Sequence, residues 1–282
     1  MRKFLMLFGA IFTISSMNAQ IETPQPSPMA TVNQVVGLSN ATIEYFRPAM
    51  RGRKIFGGLV PFKEMWRTGA NANSKVTFDT SFSIDGKELP AGTYAVFSKP
   101  GTSDWEVYFY TKTDNWGAPR EIDQTLVAAV LKVQPVALHD PVESFYMGFE
   151  NITNDSAHLV IEWENTRVAV PIQVPTDAAV MSSINKILSA TPTLNDFYTA
   201  AVYYLNAGKD LNQATEWVDK AIEMSGDDPK FYMLRQQSLI HMANGDKAGA
   251  IKAAKASLEA SKKVGNMDYV RMNEASLKEW QN

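Results

Sequence analysis

Between about positions 29 and 175, apolar and polar residues alternate. Trp105, Val107 and Phe109 fall on one face of such a run, Phe145, Met147 and Phe149 on another, and Leu159, Ile161 and Trp163 on a third. A period of two marks a half-buried strand, because successive side chains point to opposite faces of a sheet. Turn-forming residues separate these runs. Asp85-Gly86 predicts a two-residue hairpin after residues 82–84, and Pro90-Ala91-Gly92 leads into the strand pattern of 93–97. Glu164-Asn165-Thr166 predicts a turn between the Leu159 strand and one carrying Val168, Val170, Ile172 and Val174. Many short strands, with no helix long enough for a crossover, predict an antiparallel sandwich or barrel rather than a doubly wound nucleotide-binding sheet.

At Pro175 the period lengthens to that of a helix. Thr176 is placed to cap a helix whose stripe is Val180, Ile184, Ile187 and Leu188, and Thr193 with Asp196 reads as a capping box. Four further helical patterns follow. Gly208 and Gly245 each close a helix, and Asp210 and Asp246 each start the next. Ala214, Val218, Ala221 and Ile222 recur 36 residues later as Ala250, Ala254, Ser257 and Leu258. Small residues there let paired helices approach closely. This tail weakly resembles tetratricopeptide-like helical repeats, although both copies lack that family's usual tryptophan and only Pro229 echoes its terminal proline. The fold class expected is therefore two-domain α+β, with an antiparallel β domain over 29–175 and an all-α helical-hairpin tail over 176–282. The tail is expected to pack on the β domain or on a second copy of itself, and so to serve association or capture of a protein partner.

Ahead of the β pattern, Arg2 and Lys3 precede an apolar run over residues 4–14 and small polar residues ending at Ala19. This reads as a secretory signal over 1–19, too short to span a bilayer, which takes about 20 apolar residues. Residues 20–28 are polar and proline-spaced and predict an extended linker with no role in the core. There is no cysteine, so disulfides and thiol-linked lipid anchoring are excluded. An exported protein, periplasmic or secreted and soluble, is expected. Without the signal the chain carries 25 basic against 30 acidic side chains, a balance that gives no general affinity for nucleic acid. The charge is uneven. Residues 44–75 hold seven basic and two acidic groups, and residues 121–164 hold eight acidic and one basic, which predicts that the two segments face each other.

The basic segment contains the run over residues 47–71, RPAMRGRKIFGGLVPFKEMWRTGAN, with four arginines around glycines, prolines and apolar residues. Arg47-Pro48 predicts an extended entry to a turn. Gly52, Gly57 and Gly58 allow backbone angles or close approaches that a side chain would block. Phe56, Leu59, Val60 and Phe62 are the expected apolar anchors. RGR, GGLVP and WRTGAN, with IEYFRP before them, LPAGTYAVF after them and the tryptophan of DWEVYF, resemble the exported bacterial family known as domain of unknown function 2911 over about residues 29–174. That resemblance marks a domain boundary and implies no activity.

Arg51, Arg53 and Arg67 are candidate binding residues, since guanidinium groups donate to carboxylate, phosphate or sulfate oxygens in pairs and stay charged. Trp66 and Trp116 are candidates for stacking on a sugar, and Asn71 for donating and accepting hydrogen bonds. The expected ligand is a small anionic or carbohydrate molecule. The competing reading pairs the arginines with Asp123, Asp140, Glu143 or backbone carbonyls and places Trp66 in the core. No catalytic residue, metal ligand or cofactor is assigned. His139, His158 and His241 lack ligand spacing, His139-Asp140 fits a surface turn ending at Pro141, and no nucleophile elbow is present. Two alternative functions are an interaction scaffold without a small-molecule site, and a periplasmic hydrolase built on carboxylates drawn from Glu44, Glu64, Asp123 and Glu143.

Overall fold

The structure is a computed structural model that describes residues 23–281. The secretory-signal reading concerns residues outside that range. The chain forms two compact units, one ending at Pro175 and the other starting at Thr176. Among the described residues, no helix is long and apolar enough to cross a membrane.

The first unit consists of β1 (Met29–Val36), β2 (Ser39–Phe46), β3 (Ser74–Phe78), β4 (Phe82–Ile84), β5 (Lys87–Leu89), β6 (Gly92–Lys99), β7 (Trp105–Tyr110), β8 (Val127–Val133), β9 (Val136–Glu150) and β10 (Ser156–Gln173). One sheet has the order β1-β2-β3-β6-β7-β8 and the other β5-β4-β10-β9. Every named strand pair is antiparallel. The expected hairpin forms at Asp85-Gly86, both with positive φ, as a two-residue turn of the I′ type requires. Both sheets bury one shared core. Ile43, Phe78, Val96 and Phe109 enter it from the larger sheet, and Phe82, Phe145, Leu159, Trp163 and Val170 from the smaller. Aromatic rings meet across the sheets, with Phe78 edge-on to Phe149 at 6.2 Å between ring centroids. Of the two architectures expected, this is the sandwich.

Two expected turns are absent. Glu164-Asn165-Thr166 lies inside β10, and His139-Asp140-Pro141 lies inside β9. The pairing of these two strands slips twice, between Glu162 and Glu164 and again between Glu164 and Thr166, while Glu164 takes a φ of 55°. Across this kink the buried series changes from Leu159, Ile161 and Trp163 to Val168, Val170 and Ile172, that is, from odd to even positions. A one-residue slip turns every side chain to the opposite face, so the kink lets one strand keep both halves facing the core. In sequence that phase change is indistinguishable from a turn. Pro141 falls in the part of β9 that has no paired partner on β10, where a missing N–H costs nothing.

The outer face of the larger sheet is covered as well. Ala95, Phe97, Tyr108 and Tyr110 are buried there beneath Met65, Ile122, Leu126 and Val127. Loops on both sides of β6 and β7 therefore form a second layer over part of that sheet.

The second unit contains α1 (Thr176–Leu188), α2 (Leu194–Asn206), α3 (Leu211–Met224), α4 (Phe231–Ala243), α5 (Lys247–Lys263) and α6 (Met267–Trp280). Thr193 and Asp196 form the capping box, and Asp210 and Asp246 cap α3 and α5. Ala214, Val218, Ala221, Ala250, Ala254 and Ser257 are fully buried, as a close helix approach requires. His241 at the end of α4 lies between two carboxylates, with Nε2 at 2.9 Å from Asp219 Oδ1 of α3 and Nδ1 at 2.7 Å from Asp246 Oδ2. The hydrogen bond to Asp219 holds the imidazole pKa above its ordinary value against the opposing effect of burial, and the bond to Asp246 adds to it. Burial works against ionised Asp219, but bonds from His241 and Gln237 keep it below the usual carboxylate range; the Gly249 amide and His241 do the same for Asp246.

The imidazolium thus joins three helices. Because its folded pKa is raised, its contribution is complete below about pH 6.5 and is lost as pH rises through the folded value. The two depressed aspartates contribute above about pH 4 and lose that contribution as pH falls through their folded values. Melting followed by helical circular dichroism is expected to peak between these limits, and His241→Gln should remove the alkaline decline. An unchanged alkaline limb in that variant would assign the decline to other groups.

Candidate functional site

The arginine-rich segment leaves β2 and runs along β9. Pro48 O accepts from Phe145 N at 2.9 Å, Met50 N donates to Glu143 O at 2.8 Å, and Arg47 Nε donates to Phe145 O at 3.0 Å. A tight turn follows, closed by Arg53 N donating to Met50 O at 3.1 Å with φ of 51° at Arg51 and 71° at Gly52. Arg51 is a non-glycine residue in the left-handed region, which costs on the order of 1 kcal/mol. Beyond the turn the chain folds back on itself, with Val60 N donating to Ile55 O and Leu59 N to Lys54 O. Gly58 is needed there, because a Cβ would stand 2.5 Å from Lys54 O. The buried anchors are Ile55, Phe56 and Val60, whereas Leu59 and Phe62 are exposed, contrary to expectation.

The basic and acidic segments do face each other, but through the backbone of the basic one. Glu164 accepts from Ile55 N and Phe56 N, both at 3.2 Å, and Glu143 Oε1 accepts from Arg51 N at 2.9 Å. Glu150 and Glu162 both pair with Arg167. The kink in β10 aims Glu164 at the loop, a common use of irregular pairing beside a site. Carboxylates that could have neutralised guanidinium groups are thus used to hold the loop that presents them.

The three arginines line one hollow. A cavity of about 350 Å³ is bounded by Arg51, Arg53 and Arg67, with Trp66 and Trp163 among its apolar walls. Among the described residues, none of the three makes an ion pair. Arg51 Nη2 donates to Pro26 O at 2.9 Å, while Arg53 donates to Met50 O at 2.8 Å and Ala49 O at 2.6 Å. A carbonyl fixes a guanidinium without cancelling its charge. Arg67 is half-buried, and its Nη1 lies beside Gly117, where an added Cβ would be 3.4 Å away. Of the partners weighed from sequence, backbone carbonyls are used for Arg51 and Arg53, and Asp123, Asp140 and Glu143 form no ion pair with either.

Trp66 is not a free stacking platform. Its indole is 9% exposed, packs edge-on to Phe56, Trp105 and Phe145, stacks at 6.0 Å on Trp163, and donates to Gly69 O at 3.2 Å. An antiparallel bridge to Ser98 fixes its backbone. It therefore builds the cavity wall from within the core. Trp116 is 79% exposed, on a loop tied to the motif by an Ala72 bridge and by Asn115 N donating to Asn73 Oδ1 at 2.9 Å. Neither Trp116 nor Asn71 lines the arginine cavity. Asn71 Nδ2 points instead to Ser27 O at 3.4 Å. With Arg51 on Pro26, and Arg47 N donating to Pro28 O at 2.9 Å, this makes residues 26–28 part of the site and not a free linker. Sequence reasoning missed this, because proline-spaced polar residues show no periodicity to betray docking.

Three of the four carboxylates considered for hydrolysis have separate tasks. Glu44 pairs with Lys75, Asp123 caps the turn before β8, and Glu143 holds the arginine turn. Among the described residues, no group of three His, Cys, Asp or Glu gathers as a metal cluster.

The region built by these contacts coincides with a family boundary. Residues 27–172 match the family of proteins of unknown function DUF2911, just over half of the chain. The chain belongs to the DUF2911 family. No curated protein and no solved structure matches it. The match begins at Ser27, inside the strap gripped by Asn71, and ends within β10, so the DUF2911 region takes in both sheets and the arginine cavity and leaves the helical unit outside.

Proposed function

We propose that the β unit is a binding module for a small ligand bearing a carboxylate, sulfate or phosphate group, acting outside the cytoplasm. The observation that carries this reading is that Arg51, Arg53 and Arg67 all line one hollow and none of their guanidinium groups makes an ion pair among the described residues. Positive side chains in a partly enclosed, apolar-walled cleft raise the local concentration of anions and lose little to screening. The walls of Trp66, Trp163 and Val60 suit a ligand with an apolar face beside its charged group. Export is supported by the leader pattern.

Titration calorimetry with sulfate, phosphate and galacturonate tests the reading. Arg67→Ala is expected to weaken binding of the preferred anion by more than about tenfold, the loss of one charge-assisted contact worth about 1.5–3 kcal/mol. Arg67→Lys should recover only part of it, because a point charge does not replace paired donors. Binding unchanged in Arg67→Ala, with a lowered melting temperature, would assign Arg67 to structure instead.

A further inference from the structure

The arginine cavity is one of three adjoining hollows. A hollow of about 220 Å³ shares Leu59, Val60, Trp66 and Arg67 with it. A third, of about 640 Å³, shares Glu64, Met65 and Ala118 with the second and adds Lys63, Lys99 and Arg120. Shared wall residues set the three side by side along the motif segment and the loop after β7. Six cations line the three hollows against the single carboxylate of Glu64. Among the described residues, Lys63, Lys99 and Arg120 make no ion pair either. The nearby Tyr108 hydroxyl is already bonded to Glu106 at 2.6 Å, and burial, reinforced by that carboxylate, pushes its pKa up to about 12, so it stays a neutral phenol.

We propose that the three hollows act as one groove for an extended saccharide chain carrying an acidic group on successive sugars, one at Arg51, Arg53 and Arg67 and others at Lys63, Lys99 and Arg120. The proposal rests on the anion-binding reading of the first cavity and extends it to a substrate class. Spaced cations around the exposed Leu59 and the half-buried Met65 match a chain whose charged groups alternate with the apolar faces of its rings. An acidic peptide fits less well. It would gain affinity by adding a strand, but Ser98 of β6, where the motif crosses that sheet, is already paired with Trp66 on one side and Val107 on the other.

Calorimetry on the full chain with galacturonate and its oligomers up to the hexamer tests this. The hexamer is expected to bind at least about tenfold more tightly than the monomer, equivalent to about 1.4 kcal/mol. Lys63→Asn with Arg120→Gln should weaken hexamer binding by about tenfold while the melting temperature holds. Asparagine is chosen at position 63 because it tolerates the φ of 66° found there. Affinity independent of length, with Arg67→Ala still weakening the monomer, would overturn the groove and leave the anion site standing. No binding of any oligomer, sulfate or phosphate would overturn both. Hexaglutamate binding as tightly as the galacturonate hexamer, with the same response to the double variant, would overturn the saccharide assignment.

Discussion

Trp66→Ala is expected to destabilise the β unit by about 3–5 kcal/mol, the range for deleting a large aromatic side chain from a packed core. Four aromatic neighbours surround that ring, and Gly69 O would lose its donor. Removing the indole would also merge the arginine cavity with the void left behind. Urea unfolding followed by tryptophan fluorescence measures the loss. Trp66→Phe should cost less and, if the ring serves only as wall, leave anion affinity within about threefold of the parent. A Trp66→Phe variant of full stability that no longer binds the anion would return Trp66 to direct recognition.

Glu164→Ala should cost about 2–3 kcal/mol, since it strips two amides of their acceptor. Ile55 is fully buried and Phe56 nearly so, and an unsatisfied buried N–H costs on the order of 1–3 kcal/mol. The second consequence is functional. With its clamp gone, the loop carrying Arg51 and Arg53 loses a fixed point, and anion binding should weaken although no residue of the cavity wall has changed. Hydrogen exchange at Ile55 and Phe56 reports the clamp directly, and exchange there as slow as in the parent would refute it. Glu164→Gln is the informative companion. Its amide oxygen still accepts one bond, so most of the stability should return.

Glu164 also shows where reading the chain stops. From sequence its neighbourhood reads as a turn because the apolar series changes phase between Trp163 and Val168, and a phase change has the same appearance whether the chain reverses or kinks. Only the partner strand distinguishes the two, and β9 pairs with β10 on both sides of Glu164, through 158–162 before it and through Thr166 and Arg167 after it. The arginines were legible as candidates because their residue type is rare beside glycines and apolar anchors. Whether carboxylates would cancel them was not legible, because composition counts charges without saying which atoms face. Lys63, Lys99 and Arg120 were overlooked for a related reason: spread over almost 60 positions, they meet only because two loops cover the same sheet face.

Local chemistry in the chain determined the strand periods, the Asp85-Gly86 hairpin, the caps of α2, α3 and α5, the change of architecture at Pro175 and the family boundary, whereas Thr176, expected as a cap, lies inside α1 with its Oγ1 unbonded. Each depends on neighbours a few residues apart, or on a pattern repeated along one element. Tertiary structure alone decided that Trp66 is wall rather than platform, that residues 26–28 are docked, and that Glu143 and Glu164 take backbone amides and leave the guanidinium groups charged. Those outcomes depend on which groups meet across long stretches of chain, and a buried N–H in need of an acceptor competes there with a cation that water can still solvate.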